Sequence, residues 1–333
     1  MVKTMNVQAI IPAAGLGTRL RPLTLTMPKA LVPVAGKPMI VHIIDELVKS
    51  GIRDYVIIVG FLGNVLEDYL KAKYPKLTLK FVYQKKMGGT AQAVYLAEPY
   101  IKNPCLIIYG DTMIKGDLTP GLAFGSDMVL GTKFIDDPRP FGTVERENER
   151  IARLVEKPNY IKRSEVLVGI YTVKNYKLMF QCIKELMDNK IRFKNEFYLT
   201  HALQIMLEKG ASAETFQIED WYDCGNFNTL LETNRKILES KRRFKVPVFK
   251  DGCIIIPPVS IGSDVKMSSS IVGPYASIGD NVSIENSIVS DSIVSDGCKV
   301  ANSVVEKSAL GREALLLGKP VKAFLGDKSQ LGE

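Results

Sequence analysis

Over the first 110 residues, short and largely aliphatic blocks alternate with stretches whose apolar residues recur every three or four positions. The blocks Val7–Ile11, Tyr55–Val59, Leu79–Tyr83 and Cys105–Tyr109 read as strands buried on both faces of a sheet. Between them, Pro38 opens a helical pattern with Ile40, Ile43, Ile44, Leu47 and Val48 on one face, and Gly51 closes it. Further helical patterns lie near Val65–Ala72 and from Thr90 to Ala97. Alternation at this spacing predicts a doubly wound, mixed but mainly parallel α/β sheet with right-handed crossovers. Ligands bind such sheets at the carboxyl ends of the strands.

The pattern then shortens. Strands are expected at Met128–Phe134, Thr143–Glu145, Ile151–Glu156, Leu167–Val173 and Ala213–Gln217, with helices at Tyr176–Met187, Tyr198–Lys209 and Phe227–Leu238. Trp221, Tyr222 and Asp223 read as a turn. After Val246-Pro247-Val248 the composition changes to serine, glycine, valine and isoleucine, and a six-residue rhythm begins. Hexads start at Ile261, Ile278, Ile284, Val294 and Val300, with a phase slip between Ile288 and Val294. Such a repeat is the signature of a parallel β-helix, and at about 18 residues per turn the tail has room for roughly three coils.

A length of 333 residues suits two domains. With 46% hydrophobic and 24% charged residues, disordered and fibrous classes are excluded. Apolar runs fall far short of the ~20 residues that span a bilayer, and the first residues do not resemble a secretion signal. Five scattered cysteines without a CxxC pair argue against a disulfide framework or a zinc site, so a reduced, cytoplasmic location is expected. The net charge of +8 is uneven: positions 251–320 hold five basic and eight acidic residues, a net −3, which leaves +11 elsewhere. The dense run Lys241, Arg242, Arg243 and Lys245 follows a helical pattern and reads as a solvated helix end. No basic stripe interleaved with aromatics is present, so nucleic acid is not the expected partner, and phosphorylated small molecules are the better anionic candidates.

The chemistry-bearing motifs begin where the first strand ends. Gly15-Leu-Gly17-Thr18-Arg19 forms a glycine turn directly after a buried strand, where backbone N–H groups are available to phosphate. It lacks the ending of a Walker motif and the third glycine of a dinucleotide fingerprint. The continuation supplies cations, Arg19, Arg21, Lys29 and Lys37, on a segment stiffened by Pro22, Pro28, Pro33 and Pro38. Arginine grips phosphate oxygens in pairs, and lysine adds a point charge.

This run, Gly15-x-Gly-Thr-Arg19-Leu-x-Pro-x-Thr followed by Pro28-Lys29-x-Leu and Lys37-Pro38, resembles the signature of the sugar-1-phosphate nucleotidylyltransferases. The similarity extends to about residue 240, and many members carry a hexapeptide tail. The resemblance implies a Rossmann-like catalytic domain over 1–240, then a linker and a short left-handed β-helix over 241–333. It implies that Arg19 and Lys29 are catalytic, stabilising charge on the α-phosphate and leaving pyrophosphate. Gly15, Gly17, Thr18, Gln84, Gly89 and Thr90 would bind the nucleotide, with Gln84 and Gly89 against a pyrimidine base. Gly142, Glu156, Lys157 and Val168 would bind the sugar phosphate. Asp111, at a strand tip, and Asp223, in a Trp-x-Asp-x-Gly turn, would hold Mg²⁺, the one cofactor expected.

The implied reaction transfers a nucleoside monophosphate from dTTP or UTP to a sugar 1-phosphate, glucose 1-phosphate first. Alternatives are mannose-1-phosphate guanylyltransfer, or a non-catalytic regulatory subunit that binds nucleotide sugars. A homo-oligomer is expected, with no membrane partner. One departure stands out: relatives place an aspartate where this chain has His201. Hexapeptide acyltransferases use a histidine, whereas both histidines here, His42 and His201, lie outside the tail, which therefore reads as structural, assembly or regulatory.

Overall fold

The computed structural model describes residues 6–123, 125–240, 249, 252–318 and 322–331. The basic run at 241–245 and the composition break at Val246–Val248 lie outside these residues. The chain forms two compact units, one from residues 1–15 and 43–221, the other from 16–42 and 222–333. Residues 16–42, which carry the cationic signature, thus belong to the same unit as the tail.

The first unit is built on a nine-stranded sheet. From one edge the order is Arg150–Glu156, Gly142–Glu147, Ser164–Val173, Cys105–Ile108, Gln8–Pro12, Asp54–Val59 and Thr78–Tyr83. Gln8–Pro12 pairs in parallel with Asp54–Val59 and with Cys105–Ile108, and Asp54–Val59 in parallel with Thr78–Tyr83. These pairings are the expected crossover units. Ser164–Val173 is the hub of the other half and pairs antiparallel with Cys105–Ile108, Met128–Ile135 and Gly142–Glu147. Its register shifts between Leu167 and Tyr171, so the strand bulges around Val168 and Gly169.

The central strands are buried as their composition predicts, with Ala9, Ile10, Ile11, Ile57, Ile58 and Ile107 inaccessible to solvent. Two expectations need correction. Leu79–Tyr83 is not buried on both faces: Thr78–Tyr83 is the edge strand, with Thr78, Lys80 and Tyr83 exposed and the rest half-buried. Trp221–Asp223 is not a plain turn, because Asp220–Asp223 is a short strand.

In the second unit the tail winds into three parallel sheets with four, five and five strands, a β-helix of the left-handed class that the hexads imply. Its coils are shorter than 18 residues. Ile271 pairs with Ile288, 17 positions on, then Ile288 with Val304, 16 on, and Leu315 with Gln330, 15 on. The 16-residue step from Ile288 to Val304 contains the phase slip seen in the sequence, and five strands in each of two sheets make more coils than the three expected.

Each position of the repeat has a physical reason. Val272, Val289 and Val305 stack inward with Ile284, Val300 and Leu316, all but inaccessible to solvent. Serines occupy buried corners. Ser287 Oγ accepts from the Ser303 amide at 3.1 Å and donates to the Glu285 carbonyl at 2.7 Å, and Ser270 does the same one coil earlier. Each hydroxyl thereby closes an amide that a wider turn would leave unpaired. Asp264, Asn281, Asn286 and Asn302 adopt left-handed backbone angles, which their short polar side chains tolerate.

Candidate active site

In the second unit, three short turns, Thr18–Leu20, Leu23–Leu25 and Lys29–Leu31, shape the signature segment. Gly17 adopts φ +63°, and Thr24 Oγ1 donates to its carbonyl at 2.8 Å. A Cβ on Gly17 would lie 2.9 Å from Thr24 Cγ2 and 3.0 Å from Lys29 Cβ. Only glycine therefore allows the Lys29 stem to lie against this turn. Thr18 and Arg19 are exposed, and Lys29 is half-buried.

Asp223 reaches the same neighbourhood. A Cβ on Gly225 would sit 3.0 Å from both Arg19 Nη2 and Asp223 Oδ2, so the guanidinium and the carboxylate flank the glycine of the Trp-x-Asp-x-Gly motif. The motif is anchored by the helix Phe227–Glu239. Asn226 caps it through a capping box with Thr229, and Thr233 Oγ1 donates to the Asp223 carbonyl at 3.1 Å. Arg19, Lys29, Gly17 and Asp223 are thus brought together within one unit.

The first unit holds the remaining predicted residues. Gly15, its last residue before the signature segment, is exposed, and a Cβ there would meet nothing within 4 Å. Buried Gln84 donates to Gln92 Oε1 at 3.0 Å. Gly89, at φ +98°, caps the helix Thr90–Tyr95, and a Cβ on it would run into the Phe197 backbone. That backbone is knitted to the turn. The Ala91 amide donates to the Phe197 carbonyl at 2.9 Å, the Phe197 amide to Gly88 at 2.8 Å, and the Leu199 amide to Thr90 Oγ1 at 2.9 Å.

One residue further along, this segment meets Glu156 and Lys157, two of the residues expected at the sugar phosphate. Thr200 Oγ1 donates to Glu156 Oε2 at 2.7 Å. A Cβ on Gly142 would lie 3.1 Å from Thr200 Oγ1 and 3.3 Å from Glu156 Oε2, so a side chain there would crowd both. The Glu156 side chain is only 7% exposed, and burial pushes its carboxyl above the ordinary range despite the Thr200 hydrogen bond and the Lys157 charge. Lys157, at φ +47°, donates to the Tyr198 hydroxyl at 2.6 Å, with its ammonium 3.9 Å from Glu156. Burial also raises the Tyr198 phenol well above its usual value.

Val168 is buried at the bulge, and the backbone around it performs the positioning. Gly169 has φ +82°, its carbonyl accepts from the Tyr109 amide, and a Cβ there would overlap the Tyr109 ring. Asp111 is half-buried just beyond Cys105–Ile108, within electrostatic reach of Tyr109, as is Glu156.

Tyr198 and Thr200 were not singled out from sequence. They lie in Glu196–Thr200, the stretch just before His201, and the signal was there: a tyrosine and a threonine two apart, opening a helix. His201 has a buried Nδ1 without a partner among the described residues, and burial lowers its pKa. Carboxylate oxygens are the donors that Mg²⁺ takes, and Asp111 in the first unit and Asp223 in the second each offer that donor type, although no cluster of three or more such ligands occurs among the described residues.

The model of the Nucleotidyl transferase family matches residues 8–240. A glucose-1-phosphate thymidylyltransferase from Streptomyces antibioticus is 28% identical, the alignment covering 97% of this chain and 99% of that protein. The bifunctional protein GlmU of Methanocaldococcus jannaschii is 34% identical over 69% of this chain and 54% of its own length. Among solved structures, a Bacillus anthracis chain described as a glucose-1-phosphate thymidylyltransferase, with a sucrose bound, superposes with TM-score 0.63 at 28% identity. It covers 72% of this chain and 98% of its own length.

Proposed function

The chain belongs to the Nucleotidyl transferase family, and within it we propose that this protein transfers a nucleoside monophosphate from dTTP or UTP to glucose 1-phosphate. The observation that carries this reading is the packing of Lys29 and Thr24 on Gly17, with Arg19 beside it: a lysine and an arginine built onto an exposed glycine turn. Such a turn takes a triphosphate through backbone amides and paired cationic donors.

A sugar-phosphate oxygen attacks the α-phosphorus, the bond to the bridging oxygen of the β-phosphate breaks, and pyrophosphate leaves with the electron pair. The attacking group is already an anion, so no protein nucleophile is required. Catalysis is then positioning and charge neutralisation. Arg19 and Lys29 hold the triphosphate and meet the charge that develops on the leaving group. Glu156, set by Thr200, accepts from sugar hydroxyls. Lys157, set by Tyr198, holds the sugar phosphate. Asp111 and Asp223 each carry a carboxylate of the kind that would hold Mg²⁺, an ion that would neutralise phosphate charge.

Gln84, steadied by Gln92, favours a pyrimidine. Pyrophosphate release measured with four triphosphates against glucose, N-acetylglucosamine and mannose 1-phosphates tests the proposal. The highest kcat/KM is expected for dTTP or UTP with glucose 1-phosphate. A preference for GTP with mannose 1-phosphate overturns the substrate assignment, and release with no pair overturns the enzymatic one.

A further inference from the structure

Asn234 has no counterpart among the residues expected to carry chemistry, yet it is completely buried and its carboxamide is engaged from three sides. Its Oδ1 accepts from the Ala35 amide at 2.8 Å and from Ser277 Oγ at 2.6 Å, and its Nδ2 donates to the Tyr275 carbonyl at 3.0 Å. Tyr275 and Ser277 belong to the β-helix. Ala35 is the tip of the hairpin Pro33–Val34 and Lys37–Pro38, in the signature segment. One side chain on the helix Phe227–Glu239 therefore ties the two together.

Neighbouring geometry points the same way. Ala35 and Gly36 sit at φ +50° and +82°, and a Cβ on Gly36 would overlap Ser260 Oγ of the β-helix. His42 Nε2 lies 2.8 Å from the Val34 carbonyl, at the same hairpin. At the other end of the segment, a Cβ on Gly326, in the last described coil, would lie 3.2 Å from Pro22. The stretch 22–36, with Lys29 at its middle, is thus gripped at both ends by the tail.

We propose that Asn234 is a positioning residue for the triphosphate: it templates the Lys29-bearing segment on the β-helix, which makes the tail part of the nucleotide grip. This rests on the reading of residues 16–42 as that grip. Two measurements on the full-length Asn234→Ala variant test it. Hydrogen–deuterium exchange is expected to accelerate in peptides covering 16–42 and to stay unchanged in those covering 54–83. In pyrophosphate release with dTTP and glucose 1-phosphate, the triphosphate KM is expected to rise about tenfold while the sugar-phosphate KM stays within about twofold, as for a displaced binding group. Should Asn234→Ala fail to fold, Ser277→Ala removes one of the three contacts and is expected to shift both readouts in the same direction, by less.

Unchanged exchange over 16–42 overturns the proposal. So does faster exchange with both KM values moving equally, which marks a merely structural residue. Wild-type protein that neither binds nor turns over any triphosphate overturns the functional reading itself, and that control separates the two failures.

Discussion

The nine-stranded sheet, parallel in one half and mostly antiparallel in the other, and the wholly parallel β-helix both bury aliphatic strands, yet they handle polar groups in opposite ways. In the β-helix the corner hydroxyls of Ser270, Ser287 and Ser303 close on the backbone of their own or the next coil. Left-handed residues there recur every five or six positions, as at Asn281, Asn286, Asp291, Gly297 and Asn302, one for each corner of a coil. In the sheet unit, left-handed residues at Lys157 and Gly169 occur where the chain leaves or interrupts a strand. The polar groups beside them face one another: Glu156 with Thr200, Lys157 with Tyr198. A positive φ is therefore no mark of function by itself. What marks a site is a titratable side chain that burial penalises and another side chain holds in place.

If chemistry resides in the loops and stability in the coils, substitutions should divide accordingly. The largest expected effect is Lys29→Ala, which should lower kcat about 10²–10³-fold, as loss of one charge-stabilising donor does, with the melting temperature unchanged. Turnover within a few-fold of wild type would remove Lys29 from its role. In the β-helix, Leu316→Ala removes a fully buried side chain and should lower unfolding free energy by about 2–5 kcal/mol, read from urea denaturation.

Glu156→Gln sharpens the comparison because it should act on both properties. Losing a charged acceptor is worth about 1.5–3 kcal/mol, so the sugar-phosphate KM should rise roughly tenfold or more with the triphosphate KM unchanged. Burial raises the folded-state pKa of Glu156 above its unfolded value. Its contribution to stability is then full in acid and is lost as pH rises through that folded value. Melting curves of the wild type should therefore decline from the ordinary carboxylate range toward neutrality, and Glu156→Gln should flatten that decline. An unchanged pH dependence would remove Glu156 as its source.

The opposite sign is expected at Glu165. Burial raises its pKa, but hydrogen bonds from Arg146 and Thr132 outweigh this and lower it. Its stabilisation is present at neutral pH and disappears as pH falls through the folded pKa, so Glu165→Gln should weaken the acid sensitivity of the melt. The smallest expected effect is Ser287→Ala, at about 1 kcal/mol for each of its two corner hydrogen bonds, with no change in either KM.

Much of this was legible in the chain. Consecutive aliphatic residues announced the central strands, and the hexads announced the β-helix, because both patterns follow from the local rule that buried positions are apolar. The edge position of Thr78–Tyr83 was not legible, since its composition matches that of a central strand and only the count of neighbours differs. Coil length was legible only in part: the phase slip marked one short coil, but not the spacings of 17, 16 and 15 residues along the tail. Tyr198 and Thr200 went unnoticed because their partners, Lys157 and Glu156, lie more than 40 positions away.

The order of residues alone determined the α/β and β-helical classes, the glycine turn with its cations, and the family likeness, because periodicity and short motifs are properties of neighbours along the chain. Which polar groups meet was decided only in three dimensions. Asn234 is an ordinary asparagine in a helix until folding brings Ala35 and Ser277 to its Oδ1 and Tyr275 to its Nδ2. Hydrogen bonds act over about 3 Å, and no local pattern encodes which distant residue will come within that distance.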